Sequence, residues 1–233
     1  MPSFPDAATE RIAAVIEAIT TARIATTYVL LHGGKEVEFG SHGFVDYVSH
    51  LWATSFQDGT EYLLSDAGAL RRLTDEEQRE TGKAWRLEGR GCPYWLGEQN
   101  ETAASLRLQV VEPIGFSIEN TGGMQLHRYT FRIKPGRDHE NAVIARMYEH
   151  LHYHKVAKVI YDIWLTDDGK LHATREQSIM ARWAQNPGRC VKTTTTSWDF
   201  GVVAGITLPE ATEILRSVNA SNPWRHVIRP DFL

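Results

Sequence analysis

The chain has 233 residues, of which 42% are apolar and 23% charged, so it can build one sizeable core and is not a wholly disordered protein. It has no run of 18 apolar residues, which excludes a membrane-spanning helix, and its net charge of −4 gives little support to a dedicated nucleic-acid protein. The N-terminus has no basic start followed by an apolar run. We therefore expect a cytoplasmic protein whose Cys92 and Cys190 stay reduced thiols.

The first elements in chain order are an amphipathic helix and a hairpin. Residues 7–23 are predicted to be helical because apolar side chains recur at helical spacing, at Ile12, Val15, Ile16 and Ile19. Residues 26–31 are rich in β-branched and aromatic side chains and are predicted to form a strand. The pair Gly33-Gly34 then indicates a turn into a second strand over 35–39.

Two more helices are predicted before residue 100, so this part of the chain is expected to be mainly helical. Residues 43–56 return to helical spacing. Thr74 and Glu77 form a capping-box pattern that begins a polar helix reaching about residue 87. A glycine-rich loop follows, and a boundary near 97–103 is conceivable within a single domain spanning 1–233.

The sequence pattern changes at about residue 104. An antiparallel sheet is predicted over about 104–200, with a helix at 138–155 packed across it. The predicted strands lie near 106–110, 114–118, 125–133, 156–165, 171–175 and 191–198. Short helices are expected at 178–184 and 207–218. Hairpins with isolated helices indicate an α+β fold.

Charge is distributed unevenly along the chain. Residues 1–124 carry a net charge of −8, whereas residues 125–192 carry +5 and six of the ten histidines. A basic, histidine-rich middle segment is typical of proteins that engage an anionic partner, such as nucleic acid or a phosphorylated ligand. The same pattern also arises when acidic and basic parts of one fold simply complement each other.

The predicted helix 138–155 concentrates this basic character. His139, Arg146, His150 and Tyr153 fall within an arc of roughly 60° on a helix, so they form a candidate strip of donors for a phosphate or carboxylate. His150 and His154 are spaced i, i+4, which can hold a metal. No third ligand is identifiable, so we expect no metal site and leave any cofactor unidentified.

Asp162 lies inside an apolar strand, and a carboxylate in such a position is a candidate catalytic residue. If Asp168-Gly169 is a two-residue hairpin loop, however, the register places Asp162 opposite Arg175. A cross-strand ion pair is then the simpler interpretation. Asp162, His154 and His172 remain the candidate catalytic residues should the protein be an enzyme.

The sequence therefore favours a non-enzymatic binding protein whose middle segment, 125–192, engages an anionic partner. The first alternative is a histidine-dependent enzyme acting on a phosphodiester-like substrate, and the second is a protein–protein interaction subunit. The oligomeric state is not determined by these patterns.

Overall fold

The computed structural model describes residues 6–32, 35–65, 68–89, 98–134, 136, 139–153, 155–181, 190–203 and 205–216. Its main feature is one curved sheet of twelve strands. The strands are β1 (Thr21–His32), β2 (Lys35–Asp46), β3 (Leu51–Phe56), β4 (Glu61–Ser65), β5 (Gly68–Arg72), β6 (Trp85–Gly89), β7 (Val111–Thr121), β8 (Met124–Ile133), β9 (Val156–Thr166), β10 (Leu171–Met180), β11 (Cys190–Trp198) and β12 (Ile214–Arg216).

The sheet consists of two antiparallel meanders. The strand order is β12-β6-β5-β4-β3-β2-β1-β11-β10-β9-β8-β7. Within each meander, strands that follow one another in the chain pair side by side, as short hairpin connections favour. The long antiparallel pair of β1 with β11 joins the two meanders, and β12 adds to β6 in parallel.

Four helices accompany the sheet: α1 (Asp6–Glu17), α2 (Asp75–Thr81), α3 (Glu98–Arg107) and α4 (Ala142–Tyr153). Helices α1, α3 and α4 pack with one another and cover one face of β7–β9, here called the helix face. Their buried side chains include Ile12, Leu106 and Met147, which meet Phe131 and Ile163 of the sheet. This is the larger apolar cluster. No helix in the described ranges is long and apolar enough to cross a membrane.

A second apolar cluster lies on β1–β5, at the far end of the same face. Ile24, Val45 and Trp52 are buried there, and the rings of Tyr28 and Phe39 stack with centroids 4.8 Å apart. Strand pairing places these side chains on the helix face, because a side chain shares its face with those of its cross-strand partners. Strands β10 and β11 separate this cluster from the larger one.

The predicted architecture is wrong in its first half. The structure is mostly strand, and β1–β6 occupy the part of the chain that was expected to be mainly helical. Residues 43–56 are not a helix but the end of β2, a turn and β3. Asp46 makes the turn, since its Oδ1 accepts hydrogen bonds from the backbone N–H groups of Val48 and Ser49. The apolar spacing of this hairpin coincides with a helical repeat.

Three other local predictions are also wrong. Residues 106–110 were expected to be a strand, but they contain the end of α3, which the sequence reading missed. The expected helix at 178–184 starts in β10, which extends to Met180. The expected helix at 207–218 is one 3-10 turn over Ala211–Glu213 followed by β12. In each case pairing with a neighbouring strand or helix overrides the local pattern.

Several local predictions are confirmed. The helices near 7–23 and 138–155 exist, although both are shorter than expected. Thr74 caps α2 through a reciprocal capping box with Glu77. Strand β9 pairs with β10 so that Asp162 lies opposite Arg175. The Gly33-Gly34 turn lies outside the described residues, and the single-domain organisation stays a prediction.

Candidate functional site

A cleft lies between the helices and the middle of the sheet, in the gap between the two apolar clusters. Its cavity volume is about 50 Å³, and it is partly open to solvent. Helices α1 and α3, strands β9, β10 and β11, and the chain just after α1, β2 and β11 all contribute to it. The lining residues are Ile16, Ile19, Tyr47, Thr102, Tyr161, Ile163, Thr174, Arg175, Glu176, Thr195, Ser197 and Phe200.

The floor of the cleft is polar. Register places Glu176 between Tyr161 of β9 and Thr195 of β11, and it places Thr174 next to Ser197. Side chains alternate between the two faces of a strand, so these residues point to the helix face while Arg175 points away. The alternating pattern of β10 and the threonine run of β11 thus bring hydroxyl groups into the cleft.

Glu176 is the one carboxyl group on this floor among the described lining residues. The hydroxyl of Ser178 donates a hydrogen bond to its Oε1 at 3.0 Å, and the Tyr161 hydroxyl also bonds to it. Burial raises the pKa of Glu176 above its ordinary value, and these two hydrogen bonds offset only part of that effect. The group is held toward its uncharged form, in which it can both donate and accept a hydrogen bond.

The walls of the cleft are apolar. Ile16 and Ile19 come from α1 and the residues just after it, and Tyr47 and Phe200 also line the cleft. Backbone hydrogen bonds fix this rim: Tyr47 N–H donates to Thr20 at 2.8 Å and Gly201 N–H to Thr21 at 3.0 Å. The segments after α1, β2 and β11 are therefore tied together at one end of the cleft.

Apolar walls over a floor of hydroxyls and one carboxyl suit an amphipathic small molecule. Within the described part of the chain, no three His, Cys, Asp or Glu side chains cluster in a way that could hold a metal ion.

Asp162 lies on the opposite face of the sheet, here called the outer face, in a network of ion pairs. It is 1% exposed. Its Oδ1 accepts from Arg128 Nε at 2.9 Å and Thr130 Oγ1 at 2.7 Å, and its Oδ2 accepts from Arg175 Nε at 2.9 Å. Both guanidinium groups lie 5.3 Å from the ring of Trp164. The carboxylate is saturated with donors, which favours a structural role.

The pKa of Asp162 reflects this environment. Burial by itself would raise it, but the hydrogen bonds from Thr130, Arg175 and Arg128 outweigh burial and hold the pKa below its usual value. The predicted ion pair with Arg175 is thus present. Arg128 and Thr130 were not predicted as partners.

The described residues of the predicted strip are divided between α4 and the segment before it. Arg146 is exposed on the helix and His150 is half-buried. His139 precedes α4, where its Nδ1 accepts from the backbone N–H of Asn141 at 3.0 Å. The side chain of Tyr153 and the whole of His154 lie outside the described residues. The structure therefore does not test His154 as a ligand or as a catalytic group.

The remaining candidates lie apart from the cleft. His172 is exposed near the start of β10, next to a register shift in the strand pairing. Cys190 is a free thiol, and burial raises its pKa to about 11, which makes it a poor nucleophile. Cys92 lies outside the described residues.

Comparison with known proteins finds no matching family model and no matching curated protein. The chain resembles the lipoprotein LppX of Mycobacterium tuberculosis at 10% identity and a TM-score of 0.45, over 88% of this chain and 100% of that one. It resembles LprF from Mycobacterium bovis at 12% identity and a TM-score of 0.46, over 89% and 99%. A putative outer membrane lipoprotein-sorting protein domain from Vibrio parahaemolyticus is 9% identical, with a TM-score of 0.30 over 87% and 95%. Such low values carry no conclusion about what this chain binds.

The predicted binding of nucleic acid or a phosphorylated ligand by residues 125–192 is wrong. Basic side chains of this segment face carboxylates: Arg128 and Arg175 bind Asp162, and Arg132 binds Glu112. The charges of these three arginines are compensated within the fold, which removes part of the basis for a phosphodiester-like substrate.

The sequence reading missed Glu176, although a usable signal was present. The hairpin register that places Asp162 opposite Arg175 also places Glu176 opposite Tyr161. Tyr161 shares its strand face with the apolar Val159 and Ile163. A carboxyl group on that face could have been identified as lying toward the core.

Proposed function

We propose that this protein binds an amphipathic small molecule, such as a single-chain lipid, in the cleft beneath α1 and α3. The observation that carries the proposal is the contrast between the apolar walls and the polar floor of one cleft. A ligand with an apolar body and a polar end satisfies both surfaces at once, whereas water alone satisfies only the floor.

The position of the cleft supports this function. The large apolar cluster lies on one side of it and the aromatic cluster of β1–β5 on the other. Ile19 is partly buried on the wall, so its side chain is available to a ligand without forming the centre of the core. Removing apolar ligand surface from water there contributes about 25 cal/mol per Å².

The test uses the purified chain and the uncharged fluorescent probe N-phenyl-1-naphthylamine. We expect its emission to rise on binding and to fall when a single-chain glycerol ester competes for the cleft. Ile19→Lys should weaken probe binding at least about tenfold, because it places a charge on the apolar wall.

Val48→Lys is the matched control. Val48 is 72% exposed, does not line the cleft and follows Tyr47 in the turn between β2 and β3. Both variants introduce the same charge, and thermal unfolding verifies that each is folded. The proposal fails if the probe does not bind, or if Ile19→Lys and Val48→Lys bind it as the unaltered chain does.

A further inference from the structure

We propose that Glu176 selects the ligand's head group and that the cleft takes an amphiphile whose head is uncharged and carries oxygen atoms, such as a glycerol ester or a long-chain alcohol. This inference rests on the proposed function, since it assigns a chemical class to the ligand of the same cleft. Nothing in the likeness to other proteins bears on this residue.

Glu176 is surrounded by hydroxyl groups on the floor of the cleft. Its carboxyl group lies on the floor between Tyr161 and Thr195, and it accepts from Ser178 at 3.0 Å. Thr195 Oγ1 lies 3.1 Å from Thr26 Oγ1. Each of these groups can either donate or accept, apart from a carboxylate, which only accepts. The floor therefore matches a head group rich in hydroxyl or ester oxygens.

In the described part of the chain, the cleft offers no cationic side chain to an anionic head group. Arg175 is the one cationic residue among the described residues that line the cleft, and its side chain points to the outer face. Its guanidinium binds Asp162 on the outer face, at 2.9 Å from Nε to Oδ2. A phosphate or carboxylate on the floor would thus have no cation to compensate its charge, which is unfavourable in a partly desolvated site.

The protonation state of Glu176 distinguishes an uncharged head group from a cationic one. An ammonium head group would be favoured only if Glu176 were ionised. Burial among Tyr161, Ser178 and the α1 wall favours the neutral acid, in keeping with the upward shift of its pKa. A neutral carboxyl can donate its proton to a hydroxyl or ester oxygen of the ligand.

The experiment measures displacement of N-phenyl-1-naphthylamine by a chain-matched series below their micelle concentrations. The series is monododecanoyl glycerol, dodecanol, dodecanoate, dodecyl phosphate and dodecylammonium. We expect the glycerol ester to bind at least about tenfold more tightly than either anion. A tenfold difference in dissociation constant is about what the loss of one hydrogen bond produces. Dodecylammonium should also bind more weakly than the ester.

Two variants of Glu176 distinguish hydrogen bonding from charge. Glu176→Gln keeps an uncharged group that donates and accepts, so the preference for the glycerol ester should change less than about threefold. Glu176→Met removes those functions and should abolish the preference. Glu149→Gln, which alters an exposed carboxyl on α4, is the control. Thermal unfolding establishes that each variant is folded.

Four results would overturn the inference. If dodecylammonium binds most tightly and Glu176→Gln abolishes this, Glu176 acts as a charged partner. If dodecanoate or dodecyl phosphate binds most tightly, the floor of the cleft does not favour an uncharged head group. If all heads bind equally while Ile19→Lys still blocks the probe, the cleft binds amphiphiles but Glu176 does not select among them. If the probe does not bind at all, the proposed function and this inference fail together.

Discussion

Asp162 is a buried charge whose partners come from the two strands that flank its own. Arg128 and Thr130 lie on β8 and Arg175 on β10, on either side of β9. A buried carboxylate that loses such partners keeps its desolvation cost without compensation. Its energetic role is to lock the register of the three strands.

We expect Asp162→Ala to destabilise the chain by about 2–4 kcal/mol, more than Arg175→Ala does. Losing Asp162 removes the carboxylate partner of Arg175 and leaves Arg128 with Glu119 alone, whereas losing Arg175 leaves Arg128 and Thr130 bound to the carboxylate. Urea unfolding of the single and double variants gives the coupling energy, which should be about 1 kcal/mol or more. Additive single effects would show that the pair does not act as a unit.

The pH dependence of stability follows from the lowered pKa of Asp162. A carboxyl whose native pKa lies below its unfolded value stabilises the fold fully above that unfolded value, which is about 4. The stabilisation is lost as the pH falls through the native pKa. The difference in unfolding free energy between the unaltered chain and Asp162→Asn should therefore shrink below about pH 4. A difference that stays constant from pH 7 to pH 3 would contradict this assignment.

At the scale of elements, the β2–β3 hairpin depends on a close backbone approach. A Cβ atom at Gly43 would lie 1.8 Å from the backbone oxygen of Ala53, a distance that no side chain can accommodate without moving the strand. Gly43 therefore serves packing between strands, whereas the pattern around it resembles a helix. A glycine inside a strand is typical of such approaches.

We expect Gly43→Ala to cost at least about 2 kcal/mol, because the adjacent strand must shift. Gly115→Ala is the matched control in another strand of the same sheet. Its Cβ would meet Thr130 Cβ at 3.5 Å, an ordinary contact, so the change should be within about 0.5 kcal/mol. Urea midpoints of both variants measure these costs. Equal destabilisation would show that close packing at Gly43 is not the cause.

At the scale of the whole molecule, ligand binding should be coupled to folding. The cleft exists only when α1, β9, β10 and β11 are assembled, so a ligand binds the native state and not the unfolded chain. Monododecanoyl glycerol at a hundred times its dissociation constant should raise the free energy of unfolding by about 2.7 kcal/mol. Urea unfolding with and without the ester measures this, and Ile19→Lys should abolish the gain. An equal gain in Ile19→Lys would place the binding elsewhere.

Features that depend on residues close together in the chain could be predicted from the amino-acid sequence alone. The capping box at Thr74 is formed by residues three apart, and the β9–β10 register follows from a tight turn, so the pairing of Asp162 with Arg175 was predictable. The helices near 7–23 and 138–155 were likewise evident from one apolar stripe each.

Which elements share a face of the sheet, and which charged side chains pair with one another, depends on the tertiary structure. The pairing of β1 with β11 joins residues about 170 positions apart, and no local pattern specifies it. That pairing continues the sheet between the two apolar clusters, and Thr195 and Ser197 of β11 lie on the cleft floor beside Glu176 and Thr174. The basic middle segment looked available to a partner because its carboxylate neighbours lie on other strands, and their proximity arises only when the sheet assembles.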